Sequence, residues 1–356
     1  MVKLFLPPFL LATLTSFLAT AATICLAWHT KLIGIDDPAR HHHPKVVHSY
    51  PVPRGGGLPI FLAVFLTGLV FLPQDKHFWG VMGGAFVLLI VGLLDDHFDL
   101  SPYLRLGANL LAAGLVVASG IGIAFISNPF DGVIHLDQPR IIFEFLGQTR
   151  EIWVASSLFG LLWLIWNMNI VGWSSGVDGQ LPGFVVIASL VIAALGGRYS
   201  FDITQWPVII LAAAVAGAYL GFLPWNFYPQ KIMPGYGGKS LAGFFLGVLA
   251  ILSGAKVATT ILVLGVPTAD AIVAILRRLS SGHSPVWGDR GHLHHRLLDM
   301  GFKKPKIAIF YWFFSLILGL IALFLNSQQK FYAFLMVFLI LAAFYVWLKL
   351  FPRQHS

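Results

Sequence analysis

The sequence predicts an all-α polytopic membrane protein that forms a single domain over residues 1–356. Of these residues, 57% are hydrophobic and only 11% are charged, and the mean hydropathy is +0.80. Soluble domains carry about 25% charged residues, so the composition excludes an ordinary soluble fold. The apolar residues are also grouped into runs close to the ~20 residues that a helix needs to cross a bilayer. No soluble basic domain is present, so nucleic acid is not an expected partner.

Eleven apolar runs follow one another and are the predicted transmembrane helices. The shortest runs are marginal in length, so ten spans is the alternative count. The first run is too long for the apolar region of a typical signal peptide, and we therefore expect it to be retained as a span. The runs cover residues 4–28, 56–73, 78–94, 104–127, 152–171, 181–197, 207–224, 240–255, 257–276, 307–326 and 331–350.

The segment between the fourth and fifth runs has a different pattern. Residues 132–136 and 140–145 alternate weakly between apolar and polar side chains, and turn-forming residues lie between them at 137–139. Alternation interrupted by turn residues is typical of paired strands. The sequence therefore predicts a short external β-hairpin near residues 130–147.

The basic residues are divided unequally between the two sets of loops that eleven spans would create. One set, with Arg105 at the edge of its span and the C-terminal tail, holds sixteen of the 23 Lys and Arg residues, and the other holds seven. Cytoplasmic loops are enriched in Lys and Arg, so we expect the first set and the C-terminus in the cytoplasm and the N-terminus outside. Most histidines lie in the same set, which predicts an active site facing the cytoplasm of a cell-membrane protein.

A cluster of carboxylates follows the third apolar run. Asp95 and Asp96 lie at its end, and Asp99 is three residues further on. The carboxyl end of a helix carries the negative pole of the helix dipole, so paired carboxylates there are unfavourable without a nearby cation or donor. The cluster indicates a bound metal ion or a proton-transfer site. The alternative is an ordinary solvated helix end.

Two loops of the cytoplasmic set combine basic residues with glycines. Lys45 and Arg54 precede the glycines at 55–57, and Lys231 and Lys239 flank a glycine-rich turn that opens the eighth run. Basic side chains and backbone amides of this kind can hold phosphate oxygens. The alternative is a solvated loop whose positive charge only sets the topology.

Small and polar residues interrupt the apolar pattern between residues 167 and 180. This stretch contains Asn169 and Asp178, and Asp178 is the only carboxylate between Glu151 and Asp202. Irregular backbone at membrane depth is tolerated where it is buried in protein or lines a cavity. The stretch is therefore a candidate part of the site, and a simple interhelical turn is the alternative.

The last large loop is a dense cluster of cationic and hydrogen-bonding side chains that suits a nucleotide diphosphate or a sugar phosphate. Zinc is the rival ligand, but no cysteine accompanies the cluster and the histidine spacing differs from zinc patterns. An aspartate within the ninth run, Asp270, adds an intramembrane carboxylate, for which function is the default hypothesis. The loop contains Asp289, Arg290, His292, His294 and His295.

Together these motifs resemble the polyprenyl-phosphate N-acetylhexosamine-1-phosphate transferases of glycosyl transferase family 4. This family includes phospho-N-acetylmuramoyl-pentapeptide transferase and the GlcNAc-1-phosphate transferases. Residues 95–99 are similar to its DDxxD motif, and residues 284–302 are similar to its SPxxxDRxHxHHxLxxxGF ending. The turn at 53–57 and Asp270 also fit.

The resemblance implies a reaction and a set of partners. Family members move a sugar 1-phosphate from a UDP-sugar to a polyprenyl phosphate such as undecaprenyl phosphate, release UMP, and use Mg²⁺ or Mn²⁺ at the cytoplasmic face. The product begins cell-envelope glycans such as peptidoglycan or lipopolysaccharide. A homodimer is an open alternative to a monomer.

The resemblance also implies a role for each candidate residue. Asp95 and Asp96 would bind the metal. These two, with Asp178 and His294, would be catalytic. The expected substrate-binding residues are Lys45, Arg54, Asn169, Lys231, Lys239, Asp289, Arg290, His292 and His295.

Two departures mark the chain as a divergent member. Ser175 and Tyr236 stand where the family has aspartates, and a phenol is a poor ligand for a hard cation such as Mg²⁺. The alternative function is therefore a catalytically impaired relative that binds lipid phosphate or nucleotide sugar as a scaffold. A transporter is a third hypothesis, but the acids cluster at one face and not near the middle of the membrane, where transporter sites lie.

Overall fold

The computed structural model describes residues 2–30, 33–37, 48–130, 132–145, 147–254, 257–284 and 290–350. Within these ranges the chain is mainly helical, and its sheets are small, with two strands each. The helices are α1 (Val2–Thr30), α2 (Gly57–Phe71), α3 (Lys76–Phe98), α4 (Pro102–Ala118), α5 (Val154–Trp173), α6 (Gln180–Gly197), α7 (Trp206–Asn226), α8 (Gly235–Leu252), α9 (Val257–Val263), α10 (Gly265–Ser280), α11 (Leu293–Asp299), α12 (Lys304–Phe324) and α13 (Ser327–Leu350). The strands are β1 (Ile35–Asp36), β2 (Val52–Pro53), β3 (Phe125–Ser127), β4 (Val133–His135), β5 (Arg140–Phe145) and β6 (Gln148–Trp153).

The predicted all-α polytopic class is confirmed. In the described ranges, eight helices are long and apolar enough to cross a bilayer, or nine if α9 and α10 form one span bent by 84°. The predicted count of eleven is not confirmed, because α2 and α4 have only 15 and 17 residues. At 1.5 Å per residue such helices are shorter than the ~30 Å hydrocarbon core.

The central helices α6, α7 and α8 are the most buried of the spans, whereas α13 lies at the edge of the bundle. Helices α1 and α6 flank α7, and α3 and α5 flank α8. Apolar side chains that point outward from α12 and α13 remain exposed, as expected for surfaces that face lipid.

Helix ends bring the candidate loops to one end of the bundle. Helix α3 ends at Asp99, which adopts the left-handed conformation with φ 49°, and Ser101 then caps the start of α4 through its side chain. Asp tolerates this backbone conformation better than most residues. The tight turn sets the first turn of α4 beside the last turn of α3, so that Arg105 faces Asp95.

The loops predicted to lie on one membrane face are joined by direct contacts. The N–H of Met233 donates to Pro53 O at 2.8 Å, and Gly56 N–H donates to Met233 O at 3.1 Å. The Tyr50 hydroxyl donates to Gln230 O at 3.2 Å. These bonds connect the loop before α2 to the loop before α8, which confirms that the two loops share one end of the bundle.

Two hairpins form where one was predicted. Strands β3 and β4 pair with each other, and β5 pairs with β6 from Arg140↔Trp153 to Phe145↔Gln148. The predicted pairing of 132–136 with 140–145 is wrong, because each of these segments pairs with a strand outside the predicted hairpin. The apolar pattern does not predict the partner strand at 148–153, because the apolar end of this strand merges with the fifth apolar run.

Candidate active site

Asp95 is a buried carboxylate that is already paired. Its Oδ1 accepts hydrogen bonds from Arg105 Nε at 2.5 Å and from the backbone N–H of Leu100 at 3.1 Å. The same guanidinium donates to Asp99 Oδ1 at 2.7 Å. The cation that a carboxylate pair at a helix end requires is thus supplied from within the chain, and Asp95 stabilises the turn between α3 and α4.

Asp96, the second buried carboxylate of the acidic pair, has one oxygen that accepts a hydrogen bond and one that does not. Its Oδ1 accepts a hydrogen bond of 2.9 Å from the N–H of Tyr236, at the positive end of α8. In the described ranges no donor bonds Oδ2. Gly235 packs against this oxygen with φ +64°, and a Cβ atom there would lie 2.0 Å from it. Only a glycine at this position therefore allows the Asp96 carboxylate to pack directly against the start of α8.

Tyr236 connects helices and does not extend toward a ligand. Its hydroxyl lies 2.7 Å from Asn109 Oδ1 and 2.9 Å from Arg105 O, and the Arg105 guanidinium lies 5.7 Å from the centre of its ring. These contacts hold α8 against α4. The position is therefore used for packing, in agreement with the poor affinity of a phenol for a hard cation.

Two cations lie beside the acidic pair. Arg54 Nη2 donates to Asp36 Oδ2 at 2.9 Å. Burial disfavours the charged guanidinium, but the hydrogen bond and negative charge of Asp36 outweigh it and raise the pKa of Arg54. Lys239, in the second turn of α8, lies within electrostatic range of Arg54, Asp96 and Arg105. Arg54 and Lys239 thus place cationic groups near Asp96 that could bind phosphate oxygens.

His294 brings the last predicted loop to the same region. Its ring packs on Gly176, where a Cβ atom would lie 1.9 Å from Nε2, and it lies within electrostatic range of Lys239. Burial, then the charges of His295, His292 and Lys239, lower the pKa of His294 well below its usual value. The imidazole is therefore neutral at neutral pH, with one nitrogen that donates and one that accepts. In the described part of the chain no hydrogen bond reaches Nδ1.

Both ring nitrogens of His292 are already bonded. Nδ1 lies 2.9 Å from Asp270 Oδ2, and Nε2 lies 3.1 Å from Arg278 Nη2. Because Arg278 can only donate, these partners assign the proton to Nδ1 and leave Nε2 as an acceptor. As placed, His292 supports the loop and has no nitrogen open to a substrate.

Asp178 lies in a separate buried ion pair. Its Oδ1 is 3.2 Å from Lys304 Nζ, and its Oδ2 accepts from the N–H of Gln230 at 3.3 Å. The carboxylate thus connects the loop before α6 with the loop before α8 and the start of α12. Its role as a third catalytic carboxylate stays a prediction.

Comparison with known proteins identifies the family. Residues 78–254, which span α3 to α8 and the candidate acidic pair, match the family model described as glycosyl transferase family 4. The chain belongs to this family. The resemblance noted in the sequence is thereby confirmed.

Family 4 relatives match most of the chain. It is 27% identical over 344 residues to a probable undecaprenyl-phosphate N-acetylglucosaminyl 1-phosphate transferase of Bacillus subtilis, covering 94% of this chain and 88% of the relative. It is 29% identical to the decaprenyl-phosphate N-acetylglucosaminephosphotransferase of Mycolicibacterium smegmatis, covering 75% and 70%. It is 26% identical to the phospho-N-acetylmuramoyl-pentapeptide-transferase of Thermodesulfovibrio yellowstonii, covering 88% and 91%. The chain is thus a multi-pass membrane protein of a transferase family.

The remaining predicted residues of this family 4 site are not all brought together. Asn169 Nδ2 donates to Ile165 O of its own helix at 2.8 Å. Lys231 is exposed, with Nζ 5.3 Å from the centre of the Trp225 ring. Arg290 is exposed too, and Nη2 lies 3.4 Å from Asp299 Oδ1. His295 is buried, and its ring centre lies 4.2 Å from that of His294. Lys45 and Asp289 lie outside the described residues.

A divalent cation fits the acidic pair with few protein ligands. In the described ranges no three His, Cys, Asp or Glu side chains converge as a metal group. Mg²⁺ is commonly held by one or two carboxylates, with water and substrate phosphates completing its octahedron. Asp96 meets this requirement as a carboxylate whose Oδ2 accepts no hydrogen bond from a described donor. Asp95 has only its Oδ2 left, since Oδ1 bonds Arg105.

Several site residues were missed in the sequence. Asp36 fixes Arg54, Arg105 neutralises Asp95, and Lys304 neutralises Asp178. A weak signal exists for Arg105, because Ser101 and Pro102 predict a helix start that places the arginine one turn into the next helix. Lys304 lies 126 positions from its partner, and no local pattern connects the two.

Proposed function

We propose that this chain transfers N-acetylhexosamine 1-phosphate from a UDP-sugar to undecaprenyl phosphate or another polyprenyl phosphate and releases UMP. The observation that carries the proposal is the proximity of Asp96, a buried carboxylate whose Oδ2 no described donor bonds, to a cation, Lys239, which in turn lies near a neutral imidazole, His294. The names of the relatives, which are polyprenyl-phosphate hexosamine-phosphate transferases, support the same reaction.

The reaction joins two anions, so charge must be neutralised and the partners must be aligned. An oxygen of the lipid phosphate attacks the phosphorus that bears the sugar. The bond from that phosphorus to the bridging oxygen breaks, and UMP leaves with the bridging oxygen. Arg54 and Lys239 balance the negative charge of the diphosphate. His294 donates a hydrogen bond to a phosphate oxygen without adding repulsion to the neighbouring cations.

Mg²⁺ or Mn²⁺, held by Asp96 with Asp95 beside it, would neutralise charge on the donor diphosphate. Asp96 also accepts the hydrogen bond from Tyr236 N–H. Tyr236 and Lys239 both lie on α8, so this bond fixes the Asp96 carboxylate relative to Lys239. This rigid spacing between a carboxylate and a lysine provides the positioning that phosphoryl transfer requires.

The site end of the bundle faces the cytoplasm in this proposal. The excess of basic residues in the loops at this end supports the orientation. A cytoplasmic site also agrees with a nucleotide-sugar donor, because UDP-sugars are water-soluble anions that need a polar entrance. The lipid acceptor reaches the same end from the bilayer.

The test uses purified protein with UDP-GlcNAc, undecaprenyl phosphate and Mg²⁺, and measures UMP release over a panel of UDP-sugars. Asp96→Asn keeps the shape of the side chain and removes its charge, and we expect a loss of about 100-fold or more. Glu144→Gln, which changes an exposed carboxylate on β5, is the matched control and should keep full activity. Equal activities of Asp96→Asn and Glu144→Gln would refute the assignment. Metal-independent donor binding without UMP release from any donor would favour the scaffold alternative.

A further inference from the structure

Asp270 joins three segments of the chain that are far apart in sequence. It lies on α10 and is fully buried. Its Oδ1 accepts from the N–H of Leu293 at 2.8 Å and from the hydroxyl of Tyr345, and its Oδ2 lies 2.9 Å from His292 Nδ1. A buried carboxylate is stable only where donors satisfy it, and here the donors come from α10's neighbours α11 and α13.

The contacts of Asp270 fix the start of α11. His292 is the N-cap residue of this helix and Leu293 is its first residue, so both groups that Asp270 holds belong to its first turn. Arg278 completes the arrangement from the other side of His292, and its guanidinium lies 5.3 Å from the centre of the Trp173 ring. The backbone and side chain at this helix start are therefore determined by the position of one carboxylate.

The orientation of His294 depends on the same helix start. The His292 and His294 rings are stacked, with centroids 5.8 Å apart and planes inclined by 5°. His294 is buried against Gly176 and carries an Nδ1 that no described donor or acceptor bonds. A displacement of His292 would therefore move the imidazole that faces Lys239.

Tyr345 lies on α13, at the edge of the bundle, and its hydroxyl is the only described contribution of this helix to the Asp270 cluster. Interhelical hydrogen bonds help to hold transmembrane helices together, and this one links α13 to α10. The phenol hydroxyl is partly buried and donates to a carboxylate that has no cation in direct contact among the described residues. The Tyr345 hydroxyl therefore helps to satisfy the buried Asp270 carboxylate.

We propose that Tyr345 and Asp270 are positioning residues that set His294 in the site through His292. This inference rests on the proposed function, because His294 is the group that would touch the donor phosphates. Helix α13 thus takes part in turnover, although none of its groups would touch the reacting atoms.

The test compares Tyr345→Phe, which removes only the hydroxyl, with Tyr332→Phe, which removes an exposed hydroxyl from the same helix. We expect kcat/KM for the UDP-sugar to fall roughly tenfold in Tyr345→Phe, the size of effect expected when a hydrogen bond to a buried charged group is lost. The KM for polyprenyl phosphate should stay unchanged. In a His294→Ala background, measured with a radiolabelled donor, the same change should cost less than about twofold, because coupled residues are not additive. Equal losses in both backgrounds would overturn the proposal.

Hydrogen–deuterium exchange tests the coupling without turnover. Peptides covering 290–299 contain the Leu293 amide that donates to Asp270, and they should exchange faster in Tyr345→Phe than in the wild type and in Tyr332→Phe. Unchanged exchange in Tyr345→Phe would refute the coupling itself. Absence of UMP release by the wild-type protein from every UDP-sugar would instead refute the proposed function, whatever the exchange shows.

Discussion

Replacing Gly235 by alanine tests whether the close packing of Asp96 against the start of α8 is essential. Gly235 has φ +64°, and a Cβ atom there would lie 2.0 Å from Asp96 Oδ2 and 2.6 Å from its Oδ1. Non-bonded heavy atoms are comfortable at about 3.5 Å, so the carboxylate or the start of α8 must move by more than about 1 Å. A displacement of that size at a reacting group can reduce a rate by about 100-fold.

Gly254→Ala is a matched control for the backbone strain. Gly254 has φ +77°, and nothing lies within 4 Å of the position where its Cβ would be. The left-handed conformation costs alanine about 1–2 kcal/mol at either position, so Gly254→Ala reproduces the backbone cost without the clash. Only Gly235→Ala should lose UMP release, by about 100-fold relative to Gly254→Ala. Activities within threefold of each other would refute the claim that the reaction depends on the position that Asp96 takes against Gly235.

Two further predictions follow from buried charges. Lys304→Met leaves the Asp178 carboxylate buried and unpaired, so the unfolding free energy should fall by about 3–5 kcal/mol; the double variant with Asp178→Asn should recover part of this loss in a thermal unfolding assay, and no recovery would contradict the ion pair. The pKa of His294 is lowered by burial and by neighbouring charges, so the unfolded state binds a proton at a higher pH than the folded state does. The stability that neutral His294 contributes is therefore complete above about pH 6.5 and is lost as the pH falls below that value. The unfolding temperature should fall less between pH 7 and pH 5 in His294→Asn than in the wild type, and equal slopes would argue against a buried neutral imidazole.

The sequence carries enough information to group the site residues. Apolar runs and the excess of basic residues in alternate loops assign Asp96, Lys239 and His294 to one membrane face, and the structure brings the three into one region. This prediction succeeds because the alternation of spans is a one-dimensional property. It requires only that an even number of spans separates two loops, as the four helices α4 to α7 separate Asp96 from Lys239.

The partners of the site residues could not be predicted in the same way. In the sequence Asp95 and Asp96 are adjacent residues of the same type. The left-handed turn at Asp99 nevertheless places Arg105 against Asp95 and not against Asp96. His292 and His294 also look equivalent, yet Asp270 and Arg278 occupy both nitrogens of the first. Such distinctions depend on side-chain rotamers and on contacts between distant segments, which periodicity and spacing do not encode.

The predicted hairpin pairing was wrong for a related reason. Strand pairing depends on the register and on the turn that closes it. Gly147, with φ +71°, lies in the connection between β5 and β6, whereas the predicted turn at 137–139 connects two separate sheets. The alternation of apolar and polar residues identified strand-forming segments correctly but could not identify their partners.

The proposed reaction couples the release of UMP to the transfer of sugar phosphate from the nucleotide to the lipid. The most direct measurement incubates the purified protein with doubly labelled UDP-GlcNAc, undecaprenyl phosphate and Mg²⁺, and counts UMP and lipid-linked sugar in the same reaction. We expect UMP and lipid-linked sugar in equal amounts, and neither product when the lipid phosphate is omitted. UMP released without lipid-linked sugar, or neither product from any UDP-N-acetylhexosamine, would contradict the proposed reaction.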